Sequence, residues 1–277
     1  MVEINPIQLQ ALASNSQPPN VTATANPHNL VPVQTAEEVG AIAKSKIGTM
    51  PYRIATAGYS APPSGYEEPT RNFLKALDGE LGVRSTAFVT SPTADKGSID
   101  AITSEVTGMS KDKLFYTTAQ DYVDYINPSN FPNTIDTKAY SEIPKYVLPN
   151  GAEYSKATAE ASNVFVATGG RNATVSDFCN GIKKGNKAIV LNNPAIETPA
   201  WGEAKGRVEN ASKYLAEQLE AFKSGKALPH PEIGGFTQEF LAKNSEKLSK
   251  LVQVVTLDGL DASAILKAAK KAASHIR

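Results

Sequence analysis

The sequence predicts an α/β protein of Rossmann-like type, with a doubly wound, mainly parallel sheet and helices on both faces. Three observations carry this. Short apolar runs alternate with helical stretches from about residue 53 to residue 257, which is the signature of βαβ units. The runs are apolar almost throughout rather than at every second residue, as expected of parallel strands covered on both faces. A glycine pair, Gly169-Gly170, leaves one such run and enters a helix, where open sheets of this kind bind their ligands.

The elements follow in order. Residues 53–57 form a strand ending at Gly58, and a loop with Pro62, Pro63 and Gly65 leads to a helix over 67–81 with Phe73, Leu74 and Leu77 on one face. A strand over 86–90, a helix over 97–106, a strand over 114–117 and a short helix at 122–126 come next. Residues 127–149 hold four prolines and no clean period, so they read as loop with a short strand at 146–148. A helix over 152–161, a strand over 163–167, a helix over 174–184 and a strand over 188–191 follow. Ala204, Val208, Ala211, Leu215, Leu219 and Phe222 recur at helical spacing and predict one long amphipathic helix. A helix over 237–248, a strand over 252–257 and a last helix capped by Asp261 complete the pattern.

The 277 residues are 41% apolar, enough for one substantial core. Residues 1–35 are rich in Asn, Pro, Ser, Thr and Gln and nearly uncharged. Such a segment buries too little apolar surface to offset its ordering entropy. With a short helix starting at Ala36, the expected division is a disordered or weakly ordered tail over 1–45 and one domain over 46–277. Net charge is zero, which favours neither nucleic acid nor an anionic membrane as partner. No run approaches the roughly 18 apolar residues of a membrane span, and the first residues lack the pattern of a secretory signal. One cysteine, Cys179, allows no internal disulfide. The expected location is cytoplasmic. His28, His230 and His275 are scattered, and neither a metal nor a cofactor is expected. The Asn-x-Ser/Thr triplets at Asn20, Asn172 and Asn210 read as chance.

Three strand ends carry residues suited to ligand binding. Gly169 and Gly170 allow a sharp turn and close approach of backbone to an anion. The free N–H groups of the helix that follows favour negative charge. Thr174 there can cap the helix and donate a hydroxyl hydrogen bond, and Asp177, one turn in, suits a ribose hydroxyl or the chemistry of a sugar. At the first strand end, Gly58 permits close approach and Ser60 can donate to phosphate. At the second, Gly97 and Ser98 open another helix. Each also has a plain reading, as turn glycine or first-turn helix stabiliser. Cys179 reads as a buried structural thiol, and Trp201 as a ring that packs over a loop or stacks on a base.

The run Tyr154-Ser155-Lys156, the strand to Ala167, Thr168-Gly169-Gly170-Arg171-Asn172-Ala173-Thr174-Val175-Ser176-Asp177 and the Lys187-led strand resembles the LOG family and the wider SLOG superfamily. That family's pattern is an Arg-Lys pair, a strand, Pro-Gly-Gly-x-Gly-Thr-x-x-Glu, a helix and a Lys-Pro-led strand. Here Thr168 stands for the proline, Ala173 for the later glycine, Asp177 for the glutamate and Ser155 for the arginine, while Lys156 keeps the lysine. The resemblance implies a Rossmann-like fold and hydrolysis of the N-glycosidic bond of a nucleoside 5′-monophosphate. Asp177 and Lys156 would be catalytic, and Gly58, Ser60, Gly97, Ser98, Gly169, Gly170 and Thr174 would bind. The partner is then a nucleotide-like small molecule and the assembly a homodimer. The alternatives are a non-catalytic ligand-sensing module of the same fold, or an exported effector whose tail is the export signal.

Overall fold

The computed structural model of the protein describes residues 28–93, 95–127 and 136–277. Expectations that fall on residues 1–27, including most of the polar tail and Asn20, lie outside the described residues, as does the middle of the 127–149 loop.

The main sheet has eight strands. These are β1 (Leu30–Pro32), β2 (Tyr52–Ala57), β3 (Thr86–Thr90), β4 (Leu114–Ala119), β5 (Lys145–Leu148), β6 (Val164–Ala167), β7 (Lys187–Asn192) and a last strand at Val252–Thr256. Two short strands, β8 (Trp201–Gly202) and β9 (Arg207–Val208), pair antiparallel in a separate ribbon, which makes the last strand β10. The helices are α1 (Ala36–Ile47), α2 (Glu67–Leu81), α3 (Ile99–Val106), α4 (Thr137–Glu142), α5 (Gly151–Ala161), α6 (Asn172–Lys184), α7 (Ala211–Lys223), α8 (Gln238–Leu251) and α9 (Ala262–Ile276).

The sheet order is β1-β5-β4-β3-β2-β6-β7-β10, and every neighbouring pair is parallel. The chain starts the βαβ series at β2, winds outward through β3, β4 and β5, then crosses back to β6 on the other side of β2. Crossovers of this kind are right-handed, so reversing the winding direction sends the helices to the opposite face. The core records this as two apolar layers. Ala55, Ala57, Val89, Phe165 and Val190 face α1, α5, α6, α7 and α8. Ile54, Phe88, Val164, Val166 and Ile189 face α2, α3, α4 and α9. Alternate residues of one strand thus enter different layers, which is why the strands lack a polar side. The fold is the Rossmann-like, doubly wound α/β architecture.

Three local readings are corrected. The domain begins before residue 46, because β1 pairs with β5 at the sheet edge and α1 buries Ala36, Val39, Ala43 and Ile47. A polar composition hides an edge strand whose hydrogen bonds come from its neighbour. The long helix from Ala204 does not form. Glu203–Lys205 is a 3-10 turn ended by Gly206 at φ 57°, Val208 lies in β9, and the helix starts only where the Asn210 side chain accepts from the Lys213 N–H. The early part of that spacing belongs to two elements. The segment at 122–126 is a 3-10 turn over Gln120–Tyr125 rather than an α-helix. Among the described residues no helix is long and apolar enough to cross a membrane.

Candidate functional site

The winding reverses between β2 and β6, and the two strand ends there are locked together by glycines. Gly169 and Gly170 have φ of 142° and 89°, a region that side chains disfavour. A Cβ on Gly169 would lie 2.4 Å from the Tyr59 ring, and one on Gly170 would lie 2.2 Å from Thr174 Oγ1 and 2.6 Å from the Gly58 carbonyl oxygen. A Cβ on Gly58 would lie 2.1 Å from Tyr66 Oη. Thr168 stabilises the junction through hydroxyl hydrogen bonds with Tyr66 Oη (2.7 Å) and the Ala57 carbonyl (3.3 Å).

Above this junction lies a cavity of about 830 Å³, at the carboxyl ends of β2, β3 and β6. A crevice at the switch point of an open α/β sheet is where this architecture binds ligands. Gly58 and Ser60 line it from the β2 end, Gly170, Thr174 and Asp177 from the β6 side, and Lys156 from α5. Gly169, Gly97 and Ser98 do not line it. Gly97, at φ 79°, packs against Glu67, while Ser98 is buried and accepts from the Ala101 N–H as the cap of α3. Their loop reaches the cavity through Asp95, Ile99 and Asp100 instead.

Thr174 is buried, but it is the third residue of α6 and not its cap. The cap position is Arg171, whose side chain makes no capping hydrogen bond. The guanidinium of Arg171 reaches Glu209 at 3.5 Å, a carboxylate also held by Arg207 at 2.9 Å and Lys205 at 3.2 Å. Lys156 is at the rim. Its side chain is 57% exposed, and its ammonium pairs with Glu153 at 2.7 Å.

Asp177 is 8% exposed. Ser155 Oγ donates to its Oδ1 at 2.6 Å, and Asn180 Nδ2 donates in turn to Ser155 Oγ at 2.9 Å. Burial pushes the Asp177 carboxyl up to about 7; the Ser155 hydrogen bond opposes that rise and the charge of Asp100 adds to it. The residue that stands where the family pattern has arginine therefore holds Asp177 by a hydroxyl and supplies no positive charge.

Sequence reasoning missed Asp100. It sits in the first turn of α3, and its Oδ1 accepts from Thr90 Oγ1 at 2.5 Å and from the Ser91 N–H at 3.0 Å. Burial raises its carboxyl to about 6, against those two hydrogen bonds. Tyr154 stands in the same wall, its phenol pushed well above the ordinary tyrosine range by burial and by the charges of Asp100 and Asp177. The sequence also gave no sign of the aromatic mouth. Tyr122 and Tyr125, on the turn after β4, line the cavity and are 43% and 68% exposed.

Trp201 does not line the cavity and packs against the core layer of α6 and α7. Cys179 is buried, and burial pushes its thiol up to about 12, which leaves it a poor nucleophile. Among the described residues no cluster of three or more His, Cys, Asp or Glu side chains could hold a metal ion. No protein-family model matches the chain, and no curated protein matches it in sequence.

Proposed function

We propose that the protein binds a nucleotide or nucleotide derivative in this cavity and hydrolyses the N-glycosidic bond of a nucleoside 5′-monophosphate. The observation that carries the reading is Asp177, a sequestered carboxyl beside the uncapped start of α6 at the switch point of the sheet. Cleavage of such a bond develops positive charge on the sugar and needs a group that manages a proton, as in glycoside chemistry. In this reading the α6 N–H groups, Gly170 and Thr174 take the phosphate, with Ser60 facing them across the junction. Asp177 faces the ribose. Tyr122 and Tyr125 offer a stacking surface for the base, and Lys156 and Arg171 supply positive charge at the rim. The resemblance adds a cytoplasmic homodimer, which sedimentation velocity of the purified chain and imaging of a tagged chain in its own cells would test.

The second reading is a sensing module of the same fold without turnover. It draws on two facts: Lys156 is engaged by Glu153 at the rim, and Ser155 brings no cation to Asp177. One experiment separates the two. Purified full-length protein is incubated with AMP, GMP, CMP, UMP and NAD, and free base is measured by chromatography. Release that Asp177→Asn abolishes supports hydrolysis. A raised melting temperature with no release supports sensing. Neither release nor a thermal shift with any of the five removes both.

A further inference from the structure

The hydrolase reading uses one carboxylate, but two more line the cavity, Asp95, which is exposed in the loop, and Asp100. Asp100 reaches it from the end of β3 and the first turn of α3, while Asp177 reaches it from α6. The strands that deliver them, β3 and β6, flank β2 on either side, so the two acids stand on opposite sides of the switch-point crevice. Each is anchored by one oxygen. Thr90 and Ser91 both bind Oδ1 of Asp100, and Ser155 binds Oδ1 of Asp177. Among the described residues no cation is bonded to either carboxyl.

Resting on the hydrolase reading, we propose that Asp100 is a second catalytic carboxyl and that Asp100 and Asp177 act as an acid–base pair on an N-ribosyl substrate. The C1′–N bond breaks with its electron pair passing to the base nitrogen. The protonated member of the pair gives that nitrogen its proton. The ionised member stabilises the developing positive charge at C1′ and takes a proton from the water whose oxygen bonds to C1′. The products are the free base and ribose 5-phosphate. Proton exchange with solvent then restores the pair. The division of labour needs one proton on two carboxyls, and the site provides for it. Burial places the two groups at about 6 and about 7, with the charge of Asp95 adding to the rise of Asp100 and that of Asp100 to the rise of Asp177, so near neutral pH one is protonated while the other is ionised. Because the charges interact, these values belong to the pair. Tyr154, in the same wall, stays neutral and adds no charge to the balance.

The test is the pH profile of kcat/KM for base release, using whichever of AMP, GMP, CMP or UMP the wild type cleaves fastest. Wild type is expected to give a bell with limbs near the two pair values. Asp100→Asn keeps an oxygen for Thr90 and Ser91. It is expected to cost about 10²- to 10⁴-fold, to reduce the bell to a single ionisation, and to leave the thermal shift by the nucleotide in place. A wild type that cleaves, an Asp177→Asn that does not and an Asp100→Asn within about threefold of wild type with the bell intact would overturn the role of Asp100 and leave the hydrolase reading standing. No release by wild type from any of the four overturns both. Carbon-13 titration of aspartate-labelled wild-type protein needs no substitution. Two carboxyl carbons titrating together above about pH 5 are expected, and aspartates that all titrate below that, as ordinary carboxyls do, would overturn the pair.

Discussion

Replacing Asp177 with asparagine should make the protein more stable at neutral pH while damaging its site. The carboxyl is raised from 3.8 to about 7, and at about 1.4 kcal/mol per pKa unit this gives a ceiling of about 4 kcal/mol. The sign follows from proton binding. Between its unfolded value and about 7 the native state holds a proton on Asp177 that the unfolded chain has lost. Stability from this group is therefore full at about pH 4, falls as pH rises to about 7, and is flat above. Asparagine is neutral throughout, and its amide oxygen can still accept from Ser155. The difference between variant and wild type should be small at about pH 4.5 and should grow to several kcal/mol by about pH 8. Urea unfolding at three pH values measures it, and every carboxylate that does not interact with Asp177 cancels in the difference; Asp100, which does, loses a repulsive charge in the variant and changes the difference in the same direction at high pH. A difference independent of pH, or a variant less stable than wild type at about pH 8, would refute the reasoning. A stability cost of this size on a cavity-lining acid is the pattern expected where a fold keeps a group for chemistry.

Gly170→Ala should destabilise by about 2–5 kcal/mol in the same assay, since it combines a disfavoured φ with overpacking against Thr174 and Gly58; a loss below about 1 kcal/mol would mean the junction is looser than described. Lys145, fully buried over the Tyr140 ring and donating to the Tyr140 carbonyl, has its ammonium pushed down to about 8 by burial. Wild type should therefore gain stability relative to Lys145→Met as pH rises from about 7 to about 10, and parallel pH curves would count against that. Tyr125→Ala should leave the melting temperature nearly unchanged, because the ring is exposed, yet weaken nucleotide binding about tenfold by calorimetry if the ring stacks on the base; unchanged affinity would remove the ring from the site.

Local chemistry made much of the fold legible. Phe73, Leu74 and Leu77 at helical spacing located α2, and the apolar runs located β2, β3, β6 and β7, because those strands are covered on both faces. Asp261 does cap α9, accepting from Ser263 and Ala264. Legibility failed where a residue's partners are distant. Leu30–Pro32 is a strand only because β5 pairs with it. Gly97 and Ser98 look like a helix-start anion site, but Glu67 and the Ala101 N–H occupy them. Asp100 reads locally as an ordinary first-turn acid, and nothing in its neighbours in sequence marks it as facing a cavity.

The sequence by itself determined the alternation of strands and helices, the glycine turn between β6 and α6, and the presence of a carboxyl one turn beyond it. These depend on periodicity and on backbone conformations that only certain residues adopt, and both are local. Only the tertiary structure decided that the winding reverses at β2, and so which loops share a crevice. It put Asp100 opposite Asp177, set Lys156 at the rim and gave the place of a family arginine to a serine hydroxyl. The raised carboxyls follow from burial, with the charge of Asp100 adding to the rise of Asp177, and neither effect exists until strands far apart in sequence join one sheet.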